Sequence, residues 1–213
     1  MSRLDRRGLV VGAVALAAAA VGTAGASSEA AAARASAFIE ARGQELVAVL
    51  DSDLAVDAKR ERVAAILREA VDVRGVAQFV LGRHWRTATE PEREEYLSLF
   101  EATLIANLSA RFGELRGVTF SIGRVLPRGE EGVMVSTTVA RPGQQPVALD
   151  WLVGEPAGRP RIIDLVAEGT SLRITQRSEY GAIVQRSGGR LQPLLDAMRR
   201  QLARIESNEL AQN

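Results

Sequence analysis

The sequence has no cysteine, one histidine and one lysine, Lys59, among its 213 residues. Without cysteine there is no thiol nucleophile, no thiolate metal site and no disulfide to brace the chain in an oxidising compartment. A single histidine excludes a multi-histidine metal centre. His84 lies between Arg83 and Trp85 at a helix end and reads as a surface or capping residue. The glycines carry no phosphate-binding or dinucleotide fingerprint, so nothing calls for a cofactor. Charge of one sign is also lacking. The formal net charge is +1, which gives no overall electrostatic case for nucleic acid. Every base except Lys59 is arginine, a bias that founds no phosphate site by itself. Aromatic residues make up only 4 %, too few to fill a large concavity tightly.

What is present is a globular composition, 46 % hydrophobic and 25 % charged, in a length suited to one domain. The N-terminus differs in kind. Arginines at 3, 6 and 7 precede an uncharged apolar run from Gly8 to Val21, and Ala24-Gly25-Ala26 forms an A-x-A cleavage site. That run is shorter than the ~20 residues a spanning helix needs. Residues 1–26 are therefore expected to be a cleaved export signal. Arg6-Arg7 before Gly-Leu-Val resembles a twin-arginine signal, with an ordinary Sec signal as the alternative. Residues 27–213 form the mature domain. Removing Arg3, Asp5, Arg6 and Arg7 takes the charge from +1 to about −1.

Apolar residues recur at helical spacing over 29–50, 57–71 and 73–85. Thr89-Glu90-Pro91-Glu92 reads as a capping box opening a helix with Phe100, Leu104, Leu108 and Phe112 along one stripe. From Val118 the period falls to two. "VTFSIGRVL", "GVMVSTTVA", "PVALDWLVG" and "RIIDLVA" are separated by short Gly- and Pro-rich loops, which predicts a four-stranded antiparallel meander. Helices return after Gly169, capped by Thr170 or Ser171, and a last amphipathic helix follows "SGG". The expected fold is α+β: a curved four-stranded antiparallel sheet with helices on its concave side, enclosing a hydrophobic pocket.

The fourth strand poses the functional question. Strict alternation puts Ile163, Leu165 and Ala167 on one face, and Ile162 and Val166 with Asp164 and Glu168 on the other. Both faces are apolar, so both need cover. Asp150 and Asp164 are the only chemical temptation; an acid inside such a pocket could serve as a general base. The plainer expectation is that Asp150 points outward with Ala148 and Leu152, or meets an arginine. Val135, Val139, Leu149, Trp151, Ile163 and Leu165 are expected to form one apolar surface opposite the Phe100 stripe.

The stretch "VDVRGVAQFVLGRHWRTATEPEREEYLSLFEATLIANLSARFGEL" resembles the centre of the MlaC family of periplasmic phospholipid-binding proteins, also called toluene-tolerance (Ttg2D) proteins. Val73, Leu81-Gly82, Trp85-Arg86, Thr89, Phe100 and Leu104 carry the resemblance. "DLVAEGTSL" is similar to the family's strand-to-helix signature, and "RSGGRLQPLLDAMR" to its closing helix.

The resemblance implies a periplasmic, non-enzymatic shuttle that buries the tails of a phospholipid between sheet and helices. Its implied partners are an outer-membrane lipoprotein complex and an inner-membrane ABC transporter complex with an MCE ring, which together maintain outer-membrane lipid asymmetry. A hopanoid-associated branch with the same pattern, a pocket enzyme using Asp164 or Asp150, and an envelope adaptor with a filled core are the alternatives. The expected tail contacts are Phe79 and Trp85 of the third helix, and Phe100, Leu104, Leu108 and Phe112 of the fourth. The sheet adds Val135, Val139, Leu149, Trp151, Ile163 and Leu165, and the returning helix adds Ile183.

Overall fold

A computed structural model of the chain describes residues 17–212, with side chains from 27 to 208. Of the expected export segment, residues 1–16 lie outside the described residues, and 17–26 are described as helical backbone only. Among the described residues five helices come first: α1 (Ala17–Asp51), α2 (Val56–Ala70), α3 (Val73–Leu81), α4 (Arg83–Thr87) and α5 (Glu90–Ser109). The strands are β1 (Thr119–Pro127), β2 (Val133–Ala140), β3 (Val147–Gly154), β4 (Arg161–Ala167) and β5 (Thr170–Ser171). Helices α6 (Leu172–Arg186) and α7 (Gln192–Gln212) follow. Among the described residues no helix is long and apolar enough to cross a membrane.

Local chemistry sets the boundaries. The helix expected over 73–85 is broken, because Gly82 takes φ 57° and ψ −127°, a region open to residues without a Cβ. Its N–H closes α3 on the Gln78 carbonyl, and its own carbonyl receives the Trp85 N–H. Asp72 caps α3 by accepting the Gly75 N–H at 3.0 Å. The capping box at Thr89 is present. The Glu92 carboxylate accepts both the backbone N–H and the hydroxyl of Thr89, each at 2.8 Å. Ser171, rather than Thr170, caps α6 through the Ile174 N–H.

The sheet has five strands in the order β1-β2-β3-β4-β5, not four. Glu168 (φ 51°) and Gly169 (φ 77°) form a two-residue turn with both central residues left-handed, the geometry that folds a strand straight back on itself. Ser171 and Thr170 thereby pair with Val166 and Ala167. The other end of β4's outer edge is met by Val71, which bridges Ile162 in parallel, with the Asp72 N–H on the Ile162 carbonyl at 3.0 Å.

The register corrects the reading of β4. Leu152 pairs with Asp164, yet Val153 pairs with Ile162, so Ile163 is an extra residue in a β-bulge. Residues directly opposite share a face. Ile162 therefore joins Leu165 and Ala167. Ile163 turns to the opposite face, where its Cδ1 lies 3.0 Å from where a Gly154 Cβ would stand. The remaining members of the expected surface do share a face, since Val135, Trp151 and Leu165 align across three strands, and Thr137, Leu149 and Ala167 do so beside them.

Two separate hydrophobic clusters form. In the first, Ala35 and Ile39 of α1 pack on Val133, Val135 and Val153, with Phe38, Ile122, Trp151 and Ile162 around them. Helix α1 comes so close to β1 that a Cβ on Gly43 would lie 2.3 Å from the Phe120 ring. The second cluster is wholly helical, built on Tyr96, Phe100, Tyr180, Val184, Leu194, Leu195 and Met198. The α5 stripe was expected to face the sheet. Phe100 and Leu104 instead lie in this helical cluster, which contains no strand residue, and α5 runs along α7. Leu194, Leu195 and Met198 of α7 are buried and give α5 an apolar surface to pack on. An Arg199–Glu95 ion pair joins the same two helices.

Candidate functional site

The interior holds two hydrophobic clusters, and several of the expected contact residues around them are only partly buried. On the sheet, β2, β3 and β4 carry Val139, Leu149 and Leu165, all only partly buried. They extend the face that α1 covers over Val133, Val135 and Val153. Trp151 stands at the junction. Its indole N–H donates to Thr137 Oγ1 at 2.9 Å, and the Thr137 hydroxyl donates to the Leu149 carbonyl at 3.2 Å. This chain satisfies the polar atoms of a surface otherwise made of hydrocarbon. On the helical side, Phe79, Trp85, Leu104 and Ile183 are partly buried against the helical cluster, and Phe100 lies within it. Leu108 and Phe112 are partly buried beyond the end of that cluster.

Two of the expected contacts carry cations that sequence reasoning missed. Arg173 and Arg177 of α6 place their guanidinium carbons 4.5 and 4.9 Å from the Phe79 ring centroid. Arg93 lies 5.3 Å from that of Trp85 and donates to its carbonyl at 2.9 Å. These cation–π contacts fix the rings from the solvent side. No spacing rule links α6 to Phe79, so only the fold reveals the pairing.

Asp164 is held by structural hydrogen bonds. Asp164 Oδ1 accepts the backbone N–H groups of Leu165 (2.8 Å) and Arg173 (3.2 Å). Its Oδ2 accepts the Ser171 hydroxyl at 2.6 Å and pairs with Arg173 Nε at 3.3 Å. With both oxygens engaged, Asp164 ties β4 to the start of α6 and is not poised as a base. Asp150 lies on the face of Leu152, away from the apolar strip, as alternation suggested. Burial, and next the neighbouring Arg83 charge, lower the His84 pKa and so favour its neutral form. Among the described residues no cluster of acidic and histidine side chains could hold a metal ion.

Two open clefts mark the surface. One, of about 610 Å³, lies between the α2–α3 junction, α5 and the β3–β4 turn, with Val71, Val73 and Leu97 on its apolar part. The other, about 400 Å³, is bordered by Leu50, Leu54, Val56 and Phe112, and by Ser109, whose buried hydroxyl has no partner among the described residues. Phe112 is the one expected contact residue that borders either cleft.

A solved structure of a phospholipid-binding protein from Ralstonia solanacearum, in complex with a phospholipid, superposes with a TM-score of 0.73 at 20 % sequence identity. The match covers 81 % of this chain and 98 % of that one, so the two share a fold. The family model described as MlaC protein matches residues 40–200. By that match, which spans all the strands and most of the helices, the chain belongs to the MlaC family.

Proposed function

We propose that this protein is a periplasmic phospholipid carrier, taking the acyl tails into the seam between its sheet and helical clusters. It passes lipid between an outer-membrane lipoprotein complex and an inner-membrane ABC transporter with an MCE ring, and so maintains outer-membrane lipid asymmetry. Residues 1–26 act as its cleaved export signal. The observation that carries the reading is the apolar strip of Val139, Leu149, Leu165 and Ala167, left only partly buried on the sheet face that α1 covers at its other end, while the helices complete a core of their own. A fully packed adaptor would have no reason to divide its interior. Family membership and the lipid-bound fold relative support the same reading.

The energetics require such a seam. About thirty methylenes of a diacyl lipid, at ~0.8 kcal/mol each, cost on the order of 20 kcal/mol to hold in water, and a carrier must replace nearly all of that burial. Two tails need a volume at or above the upper end of ordinary ligand sites, ~1,000 Å³. In this reading the clusters part to admit the tails, and Trp151 and Thr137 keep their hydrogen bond at the wall. No catalyst is required, because transfer makes and breaks no covalent bond.

Mass spectrometry of an organic extract of the protein purified from the periplasm tests the proposal. Glycerophospholipid in near-stoichiometric amount is expected. An extract that is lipid-free, and stays so after incubation with phospholipid vesicles, overturns it. Hopanoid in place of glycerolipid would assign the protein to the related branch.

A further inference from the structure

The cleft at the β3–β4 turn is cationic, although the chain as a whole is nearly neutral. Arg68, Arg74, Arg159 and Arg161 line it against only Asp72 and Glu101, and both carboxylates are engaged. Glu101 pairs with Arg68 at 2.7 Å, and Asp72 caps α3. Arg161 donates to the Arg68 carbonyl at 3.2 Å. Glu155, the acid of the same turn, is drawn away to α1, where Arg34 Nε and Nη2 both donate to its Oε1. Arg74 and Arg159 are left with no protein acceptor among the described residues, on the rim of one concavity.

This cleft adjoins both clusters. Val73 and Leu97 pack against the helical cluster, while Arg161 adjoins Ile162 of the sheet cluster. We infer that Arg74 and Arg159 bind the phosphate of the lipid headgroup, and that the cleft thereby selects anionic phospholipids over zwitterionic ones. The inference rests on the carrier function proposed above. Guanidinium groups hold a phosphate through paired N–H donors. The ammonium of a zwitterionic headgroup would meet unpaired arginines and no free carboxylate, so like-charge repulsion offsets part of the gain. The same chemistry would also accept free phosphate, so the two sources must be told apart.

The purified protein is exchanged against vesicles of equal phosphatidylglycerol and phosphatidylethanolamine, re-isolated and extracted for mass spectrometry. A several-fold enrichment of phosphatidylglycerol is expected on the protein, falling as salt screens the cleft. In the double variant Arg74→Gln/Arg159→Gln the bound ratio should approach that of the vesicles. Arg128→Gln, in the β1–β2 turn and outside the lining of the cleft, should keep the enrichment, and circular dichroism checks that each variant is folded. Bound lipid without enrichment, or enrichment that persists in the folded double variant, overturns the headgroup assignment and leaves the carrier function standing. No bound lipid of either kind overturns both. In a calorimetric titration with inorganic phosphate, saturable binding lost in the double variant, together with unselective lipid uptake, would make this a free-anion site and overturn the assignment.

Discussion

Tyr96 and Tyr180 are the only tyrosines in the chain, and both are buried. They meet edge to face, with ring centroids 6.3 Å apart at 76°, and the Tyr96 hydroxyl donates to the Ala77 carbonyl at 3.0 Å. Burial, and next the nearby Glu179 charge, push the Tyr180 phenol up to about 12; burial and then its tyrosine neighbour raise Tyr96 further still. A phenol raised in the folded state stabilises the fold fully below its unfolded pKa of 10.0, and that contribution is lost as pH rises from there through about 12. Phenolate absorbance should therefore stay flat in the native protein around pH 10.0 and rise only as pH approaches about 12 or as circular dichroism is lost. A rise near pH 10.0 with the fold intact would contradict the burial of these two rings.

At the level of elements, the β4–α6 corner depends on one carboxylate. Asp164 and Arg173 have side chains only 5 % and 17 % exposed, so Asp164→Ala strands a nearly buried guanidinium and releases the Ser171 cap. Losing one partner of a buried pair costs about 3–5 kcal/mol. Denaturant unfolding should register that loss, and a change within experimental error would show that Arg173 finds other partners. The existence of this corner was legible: Asp164, Glu168-Gly169 and Ser171 are a turn and a cap written in residue types. The orientation of its strand was not. Ile162 and Ile163 are the same residue, so the bulge that exchanges their faces is chemically silent in the sequence. Helix α5 gives the same lesson. Its stripe announced that one face would be buried, but amphipathicity does not name the partner, and α7 took the place expected for the sheet.

Across the whole molecule, a nearly neutral chain without disulfides rests on two cores, and the proposed seam between them can be tested with one pair of substitutions. Leu149 lies on the partly buried strip, and Ala148 is exposed on the other face. Leu149→Arg should give a folded protein depleted of phospholipid, because acyl chains do not share a wall with an unpaired charge, whereas Ala148→Arg should retain it. Equal lipid content in two folded variants would dismiss the strip as a tail contact. The strip itself was legible from alternation, while the cationic cleft was not. Arg68 and Arg161 stand 93 positions apart, and only the fold puts them side by side. The sheet's edges have a further consequence. The outer side of β4 is occupied at one end by Val71 and at the other by Thr170 and Ser171, and β1 is kinked between Ile122 and Val125 and ends in Pro127. Two copies meeting edge to edge thus find only short stretches of free backbone to zip together. In the proposed carrier each exchange of cargo would expose grease, and blunted edges would keep such openings from seeding a growing ribbon.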